Sequence, residues 1–237
     1  GSATADSNTA DNTVTQTTTV RQPRLVISQI YPGGGNSSAG GGTATYTNDF
    51  IEIFNRGTTT VDFSLTPYSI QYTGAQAAFG GATASALTVI NSGTIAPGQY
   101  FLIQEAAPTS PAGVALPSPD LTGGGINFAA TGGKVALVLG TTALPATACP
   151  GATTPATTPN SPTIVDFVGY GSGTSTNAPN CYEGSGFVSF TSTNNNIKSI
   201  IRVSSCQDSD QNSTDFTTVS PPTPRNKQTT ATPCPTP

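Results

Sequence analysis

The sequence predicts an all-β protein, an antiparallel sandwich or barrel with long Gly-, Pro- and Thr-rich loops. Three observations predict it. Small and β-branched residues dominate, with about forty threonines, and β-branched side chains favour pleated structure over helix. At least seven short apolar runs are separated by turn chemistry, with no helical period between them. The apolar share is 35%, which is low, but it comes in compact alternating bursts that can build a core while much of the chain stays in loops. A length of 237 residues suits one large β-domain.

The elements follow in order. Residues 1–23 are a polar, Thr-rich extension in which "NTVTQTTTV" (12–20) alternates, so it is expected to extend as a strand with Val14, Thr18 and Val20 on one face. The first apolar strand is "RLVISQIY" (24–31), followed by "PGGGNSSAGGG", a loop that no regular element would tolerate. "DFIEIFN" (49–55) carries apolar residues on both faces: Phe50, Glu52 and Phe54 on one, Asp49, Ile51 and Ile53 on the other. That pattern predicts a central strand packed on both sides. "NRG" (55–57) is a turn signal, "TTVDFS" and "YSIQY" are short strands, and in "GTIAPGQYFLIQE" (93–105) a Pro97-Gly98 turn feeds a further strand. "GKVALVLG" (133–140), "TIVDFVGYG" (163–171) and "IKSIIRVS" (197–204) complete the set. Residues 106–125 and 149–162 read as Pro-rich loops, and the Thr/Pro tail from about 220 onward is not expected to build core.

Charge narrows the range of partners. With 8 basic residues scattered singly and a net charge of −4, no patch can neutralise a run of phosphates, which argues against nucleic acid. No apolar stretch approaches the roughly 20 residues needed to cross a bilayer. No cationic segment with a following apolar core opens the chain, so the expectation is a sequence that starts after processing or trimming.

The cysteines, Cys149, Cys181, Cys206 and Cys234, contain no CxxC pair of the kind that binds zinc or cycles redox state. Disulfides are the expectation, and with them an extracellular or cell-surface location. Four cysteines allow three connectivities; sequence order favours Cys149 with Cys181 and Cys206 with Cys234.

The absence of histidine removes the usual general base and the Ser-His and Cys-His nucleophile pairs. Three lysines remain, and none has a serine at a recognisable motif spacing. Asp49 and Glu52 lie three apart on one strand and so point to opposite faces, which does not suit two carboxylates working on one substrate. A non-enzymatic protein is expected. The most site-like segment is "CQDSDQNSTDF" (206–216), where Asp208, Asp210, Asn212 and Asp215 offer hard oxygen ligands for calcium. The loop lacks the glycine and the terminal glutamate of an EF-hand, and the same residues also form Asx turns on their own backbone.

Taken together and in order, "RLVISQIYPGGG", "NDFIEIFNRGTTTVDFS", "YSIQY", "GTIAPGQYFLIQE", "KVALVL", "IVDFVGYG" and "DSDQNSTDF...PPTPRN" resemble the lamin-tail domain family, specifically its secreted bacterial members. The resemblance covers roughly residues 24–226, with a tail at 227–237 pinned by Cys234. It implies an immunoglobulin-like β-sandwich used as an interaction or structural module. In that context Glu52 is expected to pair with an arginine such as Arg202 or to cap a backbone group, and the N-glycosylation patterns at Asn36 and Asn212 are not expected to matter. The long insertions, Gly33–Gly42, Ala106–Gly125 and Cys149–Pro162, depart from the compact form.

The functional expectation is a secreted structural subunit that associates with copies of itself, the N-terminal extension adding as a strand to a neighbour's sheet edge. The alternative is an adhesion module for surface glycans or another surface polymer, with calcium as a possible cofactor.

Overall fold

The computed structural model describes residues 24–37, 41–152, 158–173, 176–191 and 193–235. The expected extension strand with Val14, Thr18 and Val20 lies outside the described residues.

Among the described residues, twelve strands form the body. β1 (Leu25–Tyr31) and β2 (Phe50–Asn55) are both wholly buried. Further along come β3 (Val61–Asp62), β4 (Tyr68–Gly74), β5 (Leu87–Ile90), β6 (Thr94–Ile95), β7 (Tyr100–Gln104), β8 (Gly132–Leu139) and β9 (Ile164–Gly171). β10 (Val188–Ser189), β11 (Ser199–Arg202) and β12 (Phe216–Val219) close the order, with a single helical turn, α1 (Asn212–Asp215), before β12. One sheet runs β12-β11-β1-β2-β7 and the second β10-β9-β8-β4-β5, with β3 and β6 as a separate ribbon. Pairing is antiparallel except between β10 and β9. The nearly all-β sandwich agrees with the predicted class.

The core lies between the two sheets. Ile27, Ile51, Ile53, Phe101 and Ile103 from the first sheet meet Ile70, Val135, Leu137 and Val168 from the second. β2 packs on both faces, as its pattern predicts, because smaller apolar groups cover its outer side. Phe54 packs with Val26 and Tyr100 against Cys206 and Cys234, and Phe50 packs with Tyr31, Leu102 and Leu116.

Some elements differ from what the residue runs predict. "TTVDFS" shrinks to the two residues of β3, whose partner is β6, so Pro97-Gly98 separates two strands. β5, set in a polar stretch, and the brief β10 give no clear periodic signal. The tail after 220 also makes buried contacts: Arg225 reaches Glu52, Asn226 is buried, and Thr232 donates to the carbonyl of Gly98. A Thr/Pro composition does not reveal this, since the contacts are made by single polar groups on an already formed sheet.

Two irregularities interrupt the strand ladders. The β1–β2 register shifts between Ile27 and Gln29, and the β8–β9 register shifts between Leu137 and Val138. A bulge leaves one residue outside the ladder and re-aims its neighbours. Here the residue left out is Ser28; the amide of Ile27, beyond the paired residues of β1 and β11, donates to Asp166 of β9 at 2.6 Å.

Candidate functional site

The polar centre of the molecule is built around Arg202, the last residue of β11. Its Nη2 lies 2.5 Å from Asp166 Oδ2, with both side chains fully enclosed. Nε donates to the Ile27 carbonyl, Nη1 donates to Asp208 Oδ1 at 3.1 Å, and the guanidinium stacks on Phe216 with its carbon 4.4 Å from the ring centroid. Asp166 thus receives the Ile27 amide of one sheet and the arginine of the same sheet while standing on the other. A buried ion pair survives only with such additional hydrogen bonds.

Acids crowd this arginine. Glu183 offers a carboxylate oxygen that lies, with those of Asp166 and Asp208, inside a 4.8 Å group. Burial pushes the Asp166 carboxyl up to about 6 against the pull of Arg202. Glu183 is driven well above the usual carboxylate range, first by burial and then by Asp166 and Asp208. Burial works against the charged form of Arg202, and Asp166 and Asp208 more than offset it. Asp166, Glu183 and Asp208 are the residues that could hold a metal, and a cation there would compete with the Arg202 guanidinium.

The residues expected as calcium ligands divide among different tasks. Asp208 bonds Arg202 through one oxygen and faces Arg56 at 3.3 Å through the other. Asp215 accepts from the amide and hydroxyl of Ser209 and from the Gln211 amide. Asn212 is wholly buried and turned away: its Oδ1 accepts from the amides of Gly169 and Glu183, while Nδ2 donates to the Phe167 carbonyl. Asp210 sits exposed at a positive φ of 52°. A cavity of about 490 Å³ opens beside this loop, lined by Arg56, Gln207, Asp208, Ser209, Thr214 and Asp215 among others.

On the outer face of the same sheet, Glu52 pairs with Arg225 at 2.7 Å rather than with Arg202, which Asp166 has taken. Glu52 also accepts from Ser28, the residue at the β1 bulge, and Arg225 lies over the Tyr100 ring at 3.8 Å. Asp49, immediately before that strand, caps the amides of Gly34 and Phe128 at 2.7 Å each. The disulfides are Cys149–Cys181 and Cys206–Cys234, the connectivity that sequence order favours.

Sequence reasoning missed Asp166, Glu183 and Arg225 as members of these centres. For Asp166 a signal existed, a lone acid inside the apolar run "TIVDFVGYG". Glu183 and Arg225 sit in loop sequence whose partners are far away in the chain.

Fold and centre together define the class: an antiparallel β-sandwich domain whose buried charges serve to join its sheets and loops. A family model described as Lamin Tail Domain matches residues 18–172, and the chain belongs to that family. Members of this immunoglobulin-like family are typically non-catalytic. A solved structure, that of a DUF4876 family protein from Bacteroides thetaiotaomicron, is similar at 14% identity. The likeness covers 90% of this chain and 75% of that one, with a TM-score of 0.41. No curated protein matches. The family match ends just after β9, so it includes Asp166 while Glu183, Arg202, Asp208 and Arg225 lie beyond it. No helix among the described residues is long and apolar enough to cross a membrane.

Proposed function

We propose that the chain is a non-enzymatic, extracellular structural module that associates with copies of itself, the Thr-rich extension of one copy adding as a strand to a sheet edge of the next. The observation that carries this reading is β5. It ends its sheet, with no strand on its outer side among the described residues, and Val89 at its middle is 37% exposed. An unpaired edge is a template for another strand: backbone hydrogen bonds supply affinity and alternate side chains the register. Two disulfides are compatible with an oxidising compartment. The test is electron microscopy with sedimentation velocity on the full chain and on a chain lacking residues 1–22. Concentration-dependent fibres lost on deletion support the reading; a monomer at all concentrations refutes it.

A second reading is adhesion to carbohydrate or another surface polymer, favoured by the polar cavity beside Asp208 and Ser209. Calcium at Asp208, Asp210, Asn212 and Asp215 belongs to this reading. A glycan array tests the first part. A calcium titration that leaves the unfolding midpoint unchanged and finds no bound metal removes the second.

A further inference from the structure

Asp49 and Glu105 stand side by side where β2 begins and β7 ends. Phe50 is in register with Gln104; beyond it the Glu105 amide donates to the Asp49 carbonyl and the Asp49 amide to the Ala106 carbonyl, so the two acids lie across from each other where the ladder ends. Residues directly opposite on antiparallel strands share a face, and like charges there oppose each other. Both are at most 1% exposed, and neither forms an ion pair among the described residues.

Each acid holds the same returning segment. Asp49 Oδ2 accepts from the Phe128 amide, and Glu105 Oε2 accepts from the Ile126 amide at 3.0 Å. Ile126 and Phe128 are themselves core residues, so the segment both covers the acids and plugs the end of the sandwich. Close approach is part of the design: a Cβ on Gly124 would collide with Glu105 Oε2. One oxygen, Glu105 Oε1, is buried without a hydrogen-bond partner. The groups facing the pair from other elements are Thr88 of β5, which donates to Glu105, and Tyr31, Tyr72 and Tyr170, which feel the charge of Asp49. No lysine or arginine is among them.

We propose that Asp49 and Glu105 form a proton-held latch on residues 120–131, closed while the pair keeps a proton and loosened when it gives the proton up. Two ionised carboxyls buried beside each other, with no cation and one oxygen unpartnered, gain most by reaching water, and the covering segment is what separates them from it. Burial carries Glu105 up to about 7. It carries Asp49 well above the usual range, with the Gly34 and Phe128 amides opposing and Glu105 adding repulsion. A carboxyl raised in the folded state contributes stability that is complete below its ordinary pKa and is lost as pH rises through the folded value. The latch therefore loosens as the pH rises from the ordinary carboxylate range through about 7, and is fully loosened above it.

Hydrogen exchange of the full chain at pH 5.5 and pH 8, corrected for intrinsic exchange, tests this. Protection of the amides of 126–131 is expected to fall roughly tenfold or more at the higher pH, the change that one unit of pKa displacement produces. In Glu105→Gln, protection is expected to persist at pH 8 and the pH step to vanish. Equal protection of the native chain at both pH values, or a step that survives in Glu105→Gln, overturns the proposal. Should the variant not fold, assigned carbon-13 titration of the native carboxyls decides: a Glu105 signal titrating near 7 supports the latch, and titration of both Asp49 and Glu105 below pH 5 overturns it.

Discussion

Asp166 and Arg202 come from opposite sheets and meet at 2.5 Å with both side chains fully enclosed. The contact is a seam: β9 carries the acid and β11 the base, and the acid also accepts the Ile27 amide of β1. The pair is therefore expected to matter more for which sheet meets which, and in what register, than for net stability.

Removing one member of the seam leaves a buried charge. Arg202→Met is expected to destabilise by about 3–5 kcal/mol in urea unfolding, because Asp166 loses its counter-charge. Pairing Arg202→Met with Asp166→Asn should recover a substantial part of the loss. A double variant as unstable as the sum of the single variants would show that the two residues are not coupled.

The outer pair behaves differently because Arg225 is reached late in the chain. Arg225→Met leaves Glu52 under the tail with Ser28 as its remaining side-chain donor, and a loss of about 3 kcal/mol is expected. Burial already raises the Glu52 carboxyl, with Arg225 holding it down. Without the arginine that carboxyl keeps a proton in the fold, so the variant's deficit should grow as pH rises above the ordinary carboxylate range. Unfolding midpoints from pH 4 to 8 measure this.

Lys134 pairs with no acid among the described residues. Its ammonium donates to the carbonyls of Ala77 and Ala148 and to Asn180 Oδ1 at 2.6–2.7 Å, and burial lowers it to about 8. A lysine depressed in the fold binds its proton less readily there than in the unfolded chain. Stability should rise as pH goes from about 8 toward the ordinary lysine value, and Lys134→Met should lack that rise. Thermal unfolding between pH 7 and 10 gives the comparison.

The Cys206–Cys234 bridge ties the tail across Val26, Phe54 and Tyr100. Replacing both cysteines by serine is expected to cost about 3 kcal/mol, in keeping with a loop of this length. Limited proteolysis should then cut first between residues 220 and 235. Early cleavage elsewhere would show that the bridge does not govern this segment.

Local chemistry was legible from the chain. β1, β2, β8 and β9 announce themselves because β-branched and aromatic residues recur between Gly and Pro breaks, and two-sided apolarity marked β2 as central. The favoured cysteine pairing needed only sequence order. β5 and β10 were not legible, since short strands are held by partners instead of by their own pattern. The partner of Glu52 could not be read either: Arg202 and Arg225 are both distant arginines in the sequence, and only the sheet order assigns one to each face. Asp208, Asp210, Asn212 and Asp215 follow the spacing of oxygen ligands, yet α1 turns Asn212 inward and leaves Asp210 outside.

By itself the sequence determined an all-β, disulfide-bonded chain without histidine chemistry, because composition and alternation act over a few residues and survive in a linear reading. The tertiary structure alone decided where the buried charges go: Asp166 to Arg202, Glu52 to Arg225, Asp49 beside Glu105. Charge pairing in the interior depends on which side chains share a low-dielectric space, and that is settled by register and sheet packing between residues up to 173 positions apart.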